Sequence, residues 1–113
     1  MQADAFEPTR LLQILDGDAH AVKDILEDAI PSIQELVSRA SAELRAGNLR
    51  SSAHLMHELQ GVAGNVGADE LRSLSQRMLG RLRRSVPVQP QRAIEDLTLA
   101  LKRFTVAAHD FLR

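Results

Sequence analysis

His57 is followed at four and seven residues by Gly61 and Gly64, in a stretch whose apolar positions recur at helical spacing. On a helix turning about 100° per residue, Leu55, Leu59, Val62 and Val66 fall within about 60° of one another and must face a core. His57 then lies about 190° from the centre of that stripe. Ala53, Gln60 and Gly64 flank it, with Gly61 and His54 a little further round. An exposed imidazole is a nucleophile at neutral pH, because the free side chain titrates near about 6.5 and is largely uncharged at pH 7. Each glycine in an exposed helix interior costs about 0.8–1 kcal/mol relative to alanine, so two of them beside a surface histidine ask for a reason. Bare backbone along the helix makes a ledge on which another chain can settle close to the ring. Phosphoryl transfer needs that access, since positioning supplies much of its catalysis. A surface histidine can also be only that, and glycines can equally let a neighbouring helix pack closely. The wheel gives accessibility; it does not name a reaction.

Other chemistries find little in the chain. Cysteine is absent, which excludes disulfides and thiolate metal sites and agrees with a reducing compartment. Helical di-metal sites use Glu-x-x-His pairs, yet none of His20, His54, His57 or His109 has a glutamate three residues earlier, and His-Glu-x-x-His does not occur. No metal site and no cofactor of the chain's own is expected. His54 reads as a surface residue at the rim of the face that carries His57. Ser51, Ser52, Ser73 and Ser75 lack a His-Asp arrangement for a nucleophilic serine. The glycines from Gly61 to Gly67 are followed by no Gly-Lys-Ser/Thr and preceded by no strand, so a nucleotide loop is not expected. A net charge of −1, with three Phe and neither Trp nor Tyr, gives no support for nucleic-acid binding. Arg72, Arg77, Arg81, Arg83 and Arg84 concentrate positive charge on one segment. They read either as a solvated face with cations near a helix C-terminus or as steering charge for an acidic partner. The N-terminus has no basic region followed by an apolar stretch, and no run nears the roughly 18 apolar residues of a membrane span. A cytoplasmic location without membrane contact is the expectation.

The elements that would position His57 are helices. The 113 residues are 44% apolar and 26% charged, suited to one globular domain over 1–113 with a helical core at about 8–112. Pro8 suits the start of a short first helix, Arg10 to Leu15, stopped at Asp16-Gly17. Asp18 can cap a second helix running to about Gly47, with Pro31 expected to bend or split it near residues 28–30. Gly47-Asn48 stops that helix and starts a third, from Leu49 to about Asn65. Gly67 ends the third. A fourth runs from about Asp69 to Arg84 with Leu71, Leu74, Met78 and Leu82 as its apolar stripe. Residues 85–90, with Pro87 and Pro90, read as a linker. The fifth helix is expected from Gln91 to about Leu112, with Ile94, Leu97, Leu101, Phe104, Ala108 and Phe111 facing inward. Four long amphipathic helices with short connections predict an all-α fold: a four-helix bundle with an additional short N-terminal helix.

His57-Glu58-Leu59-Gln60-Gly61-Val62-Ala63-Gly64-Asn65-Val66-Gly67-Ala68 resembles the signature of histidine-containing phosphotransfer (HPt) domains. Leu71 and Leu74 stand where that family has leucines on the next helix. Leu15-Asp16-Gly17-Asp18, the mid-helix proline and Ala46-Gly47-Asn48 are similar too, so the likeness spans roughly residues 6–112. The resemblance implies a monomeric bundle that has no ATP site. It accepts a phosphoryl group on His57 from a receiver-domain aspartate and passes it to another receiver. Mg²⁺ would come with the receiver. Partners would be response-regulator receiver domains, and a hybrid sensor kinase where the domain is part of one. The close-approach role falls on Gly61 and Gly64. Two positions depart from the pattern. The family's lysine three residues after the histidine is Gln60, a neutral donor without the charge-assisted share of the interaction. A polar residue that would hydrogen-bond the imidazole from the facing helix is Leu79. The alternative that these departures raise is a helical interaction module that docks receivers and transfers phosphate poorly.

Overall fold

The computed structural model describes residues 3–113, and its regular structure is helical throughout. The helices are α1 (Thr9–Ile14), α2 (Ala19–Ala46), α3 (Leu49–Val66), α4 (Asp69–Arg83) and α5 (Pro90–Phe111). Local chemistry sets their ends. Asp18 is extended, and its carboxylate accepts the Ala21 amide at 3.1 Å, satisfying one of the orphan donors at the start of α2. At the far end Gly47 takes φ +74°, and the Asn48 amide donates back to the Glu43 carbonyl at 3.0 Å. Gly67 closes α3 in the same way, at φ +80°, with the Ala68 amide on the Ala63 carbonyl at 2.9 Å. Both closures turn the chain within two residues and so make successive helices antiparallel.

α2, α3, α4 and α5 pack in a ring, and α1 lies against α2 and α3. The molecule measures 42 × 22 × 21 Å. The 28 residues of α2, at 1.5 Å each, span about 42 Å, so this one helix sets the long axis. Leu26, Ile33, Met56, Leu59, Leu71, Leu97 and Phe104 fill the interior, all fully buried. Ser41, Ser52 and Ser75 are buried among them, and each hydroxyl donates to the carbonyl four residues earlier at 2.7–2.8 Å. These bonds remove the cost of burying a hydroxyl. Between α4 and α5, Arg103 grips Glu70 with both carboxylate oxygens engaged, at 2.9 and 2.7 Å. That contact raises the guanidinium's pKa still further.

The structure departs from the sequence expectation at several points. Of the two outcomes expected at Pro31, a bend or a split, the split does not occur: α2 is continuous through it. Its ring is exposed while Ile30 and Ile33 on either side are buried, so the missing hydrogen bond falls on the solvent side and core packing holds the helix. Pro90 is the first residue of α5 rather than the last of the linker, the place where a fixed φ favours helix and no amide is needed. Phe111 is 40% exposed instead of inward. Its ring meets the edge of Phe6 at 5.5 Å, and Phe6 also meets Phe104 at 5.7 Å. Along α4 the deep positions are Leu71, Ser75, Met78 and Leu79, whereas Leu74 and Leu82 are half-buried.

Phe6 belongs to a strap that helical periodicity does not reveal. The Glu7 amide donates to the Gly67 carbonyl at 2.8 Å, and the Glu70 amide donates to the Asp4 carbonyl at 2.9 Å. Residues 4–7 thus bind the α3–α4 turn, which lies at the end of the helix that carries His57.

Candidate functional site

The rotation of α3 is fixed by Ser52, Leu55, Met56, Leu59, Ala63 and Val66, all buried. Because α3 packs on both α2 and α4, this arc is wider than the stripe read from leucine and valine alone. Its centre lies about 40° further toward α4 at 100° per residue, which leaves Val62 half-buried. His57 stays on the solvent side. Among the described residues its imidazole has no hydrogen-bond or ion-pair partner, so both ring nitrogens are free for chemistry.

The surroundings of His57 divide in two. Gly61 is exposed, and a Cβ added there would meet nothing within 4 Å. One turn beyond the histidine, then, the backbone of α3 is open to an incoming chain. Gly64 is half-buried, and a Cβ there would lie 3.1 Å from Cδ of Arg72. The second glycine therefore carries the aliphatic stem of an arginine. Gln60 is half-buried on the same edge of α3. His54 is exposed, and its Nε2 lies 2.8 Å from Oε1 of Glu58. Leu79 is buried at 4% exposure, turned into the core, and offers the imidazole no polar partner.

The arginines of α4 do not make one patch. Arg72 faces Gly64 on the α3 edge, whereas Arg77 and Arg81 line a cleft of about 500 Å³ on the α5 edge with Arg92. The position of Arg72 could be read from the turn. In an antiparallel hairpin bent about Ala68, residues equally far from the bend stand level with one another. That rule sets Arg72 opposite Gly64, Gln76 opposite Gln60 and Leu79 opposite His57. Charge composition groups the arginines; only hairpin register separates them. A second cleft, of about 560 Å³, adjoins His54 between α2 and α3 and includes Arg39 and Arg50.

Among the described residues no group of three His, Cys, Asp or Glu side chains could hold a metal ion. No helix there is long and apolar enough to cross a membrane. What the face can do is present an unencumbered imidazole to another macromolecule over bare backbone. Searches of curated proteins and of solved structures return no match. A family model described as Hpt domain matches residues 24–105, most of the chain and every helix that builds the His57 face. With an exposed histidine on the third helix of an all-α bundle, the chain belongs to the Hpt domain family.

Proposed function

We propose that this chain is a phosphorelay carrier whose phosphoryl-accepting group is His57. Hpt domains are phosphotransfer modules of two-component signalling, not kinases with an ATP site of their own. The observation that carries the assignment to His57 is its unpartnered imidazole beside the open backbone at Gly61. A ring nitrogen attacks the phosphorus of an aspartyl phosphate on a receiver domain. The N–P bond forms as the acyl O–P bond breaks, and the carboxylate leaves. The step then runs in reverse toward a second receiver, whose aspartate takes the phosphoryl group and restores the imidazole. Mg²⁺ held by the receiver's carboxylates would screen charge on the phosphoryl oxygens. Gly61 lets the partner's backbone approach, Gly64 and His54 border the docking face, and Gln60 is a neutral donor toward phosphate or partner.

The test is direct. The chain is incubated with a phosphorylated receiver domain and Mg²⁺, and acid-labile phosphate is measured on wild type, His57→Ala and His54→Ala. Label should vanish with His57→Ala and persist with His54→Ala. Equal labelling of wild type and His57→Ala would remove the assignment. No label on the wild type, with the receiver still bound, would favour the rival reading that Gln60 and Leu79 motivate, a docking module that does not transfer.

Gln60→Lys addresses the missing charge. A charge-assisted hydrogen bond exceeds a neutral one by about 1 kcal/mol, so phosphohistidine lifetime should lengthen about fivefold. An unchanged lifetime would show that charge at this position has no effect here.

A further inference from the structure

We infer that Arg72 is a positioning residue for the docked partner, a cation placed on the His57 face from the neighbouring helix. The inference rests on the carrier reading above. Three observations converge on it. The Arg72 stem lies over Gly64, close enough that a Cβ there would come within 3.1 Å of its Cδ. Its Nη1 donates to Oε1 of Gln76 at 3.4 Å, a side chain further along α4 in the direction of His57. Among the described residues it has no carboxylate partner, in contrast to Arg103, which is held bidentate by Glu70. Arg72 is thus half-buried by its stem, pre-oriented, and electrostatically unspent.

Distance decides what that charge can touch. Gly64 lies seven residues from His57, about 10 Å along the helix. A guanidinium directed toward Gln76 covers part of that span but stops short of a phosphoryl group on the ring. A standard protein interface covers about 800 Å² per partner, a disc of about 16 Å radius, so a footprint centred on His57 includes Arg72. A partner that accepts phosphate on an aspartate and binds Mg²⁺ beside it must present several carboxylates at that footprint. Arg72 meets that acidic edge, on the same side of α3 where Gln60 is neutral. Its contribution is therefore to association, not to the bond-making step. Gly64 is the complementary part of the device: bare backbone seats the stem and holds the charge in place.

The experiment uses a receiver domain phosphorylated with acetyl phosphate, with wild-type chain, Arg72→Gln, Arg72→Lys and, on the opposite edge of α4, Arg77→Gln. Arg72→Gln should raise KM for transfer about fivefold, leave the maximal rate and the phosphohistidine lifetime unchanged, and flatten the salt dependence of KM. Arg72→Lys should recover most of the loss, and Arg77→Gln should match wild type. A merely structural arginine would alter thermal stability without altering the salt slope. Unchanged KM and salt slope in Arg72→Gln would overturn the inference, as would an equal effect from Arg77→Gln. Binding of the same receiver, followed by fluorescence anisotropy, reads the docking role even where no phosphate moves. Equal Kd for wild type and Arg72→Gln overturns Arg72 alone, whereas absent label on His57 overturns the carrier reading alone.

Discussion

Gly67→Ala will destabilise the fold by about 3 kcal/mol or more and lower Tm by about 10 °C or more. Two costs combine. Gly67 holds φ +80°, a backbone region that charges a side-chain-bearing residue about 1–2 kcal/mol. A Cβ at this position would also lie 2.0 Å from the Glu7 carbonyl oxygen, so the N-terminal strap must lift from the α3–α4 turn. Lifting it breaks the Glu7–Gly67 and Asp4–Glu70 backbone hydrogen bonds and withdraws Phe6 from Phe104 and Phe111. The two costs separate experimentally. In a chain lacking residues 1–7, Gly67→Ala should cost only the backbone share, about 1–2 kcal/mol, by urea denaturation. An identical penalty with and without the strap would show that the close approach of Glu7 is irrelevant.

Gly61→Leu is expected to move stability and transfer in opposite directions. The added side chain meets open space, and leucine exceeds glycine in helix propensity by most of 1 kcal/mol, so Tm should rise by a few degrees. The same side chain stands one turn from His57, where on the proposed reading an incoming backbone seats. A misplacement of about 1 Å at a reacting centre costs on the order of 10²-fold, and phosphotransfer should fall by at least that factor. Circular dichroism, thermal melting and a transfer assay on one preparation check both halves. Normal transfer in a more stable protein would end the close-approach role of Gly61. Because the variant gains stability, loss of transfer could not be assigned to unfolding.

The elements of this bundle were legible in the sequence because their signals are local. At Asp18, Gly47 and Gly67 the helix start or stop is made by hydrogen bonds that span no more than five residues, and the helix ends stand where those residues put them. The solvent-facing position of His57 was legible for the same reason, being set by the phase of α3 itself. What sequence did not yield depends on contacts between segments. The fate of Pro31 is decided by the burial of Ile30 and Ile33, a tertiary term that outweighs its local propensity. Phe111 is drawn outward to Phe6, a residue in no helix. The division of the glycine ledge into an open Gly61 and a covered Gly64 follows from the second helix that α3 packs against. A one-helix wheel treats solvent and neighbour alike on the side away from its apolar stripe. Adding the α3–α4 register resolves the two glycines and singles out Arg72 from the other arginines.

On the proposed reading phosphate passes through one side chain, and the site of the phosphoryl group itself is the most direct measurement of it. Wild-type chain is labelled from a phosphorylated receiver with Mg²⁺, kept at neutral to alkaline pH where an N–P bond survives, and mapped by tandem mass spectrometry. A single phosphoryl group on His57, lost on mild acid treatment, is the expected result. Phosphate on His54, His20 or His109 with His57 unmodified would contradict it.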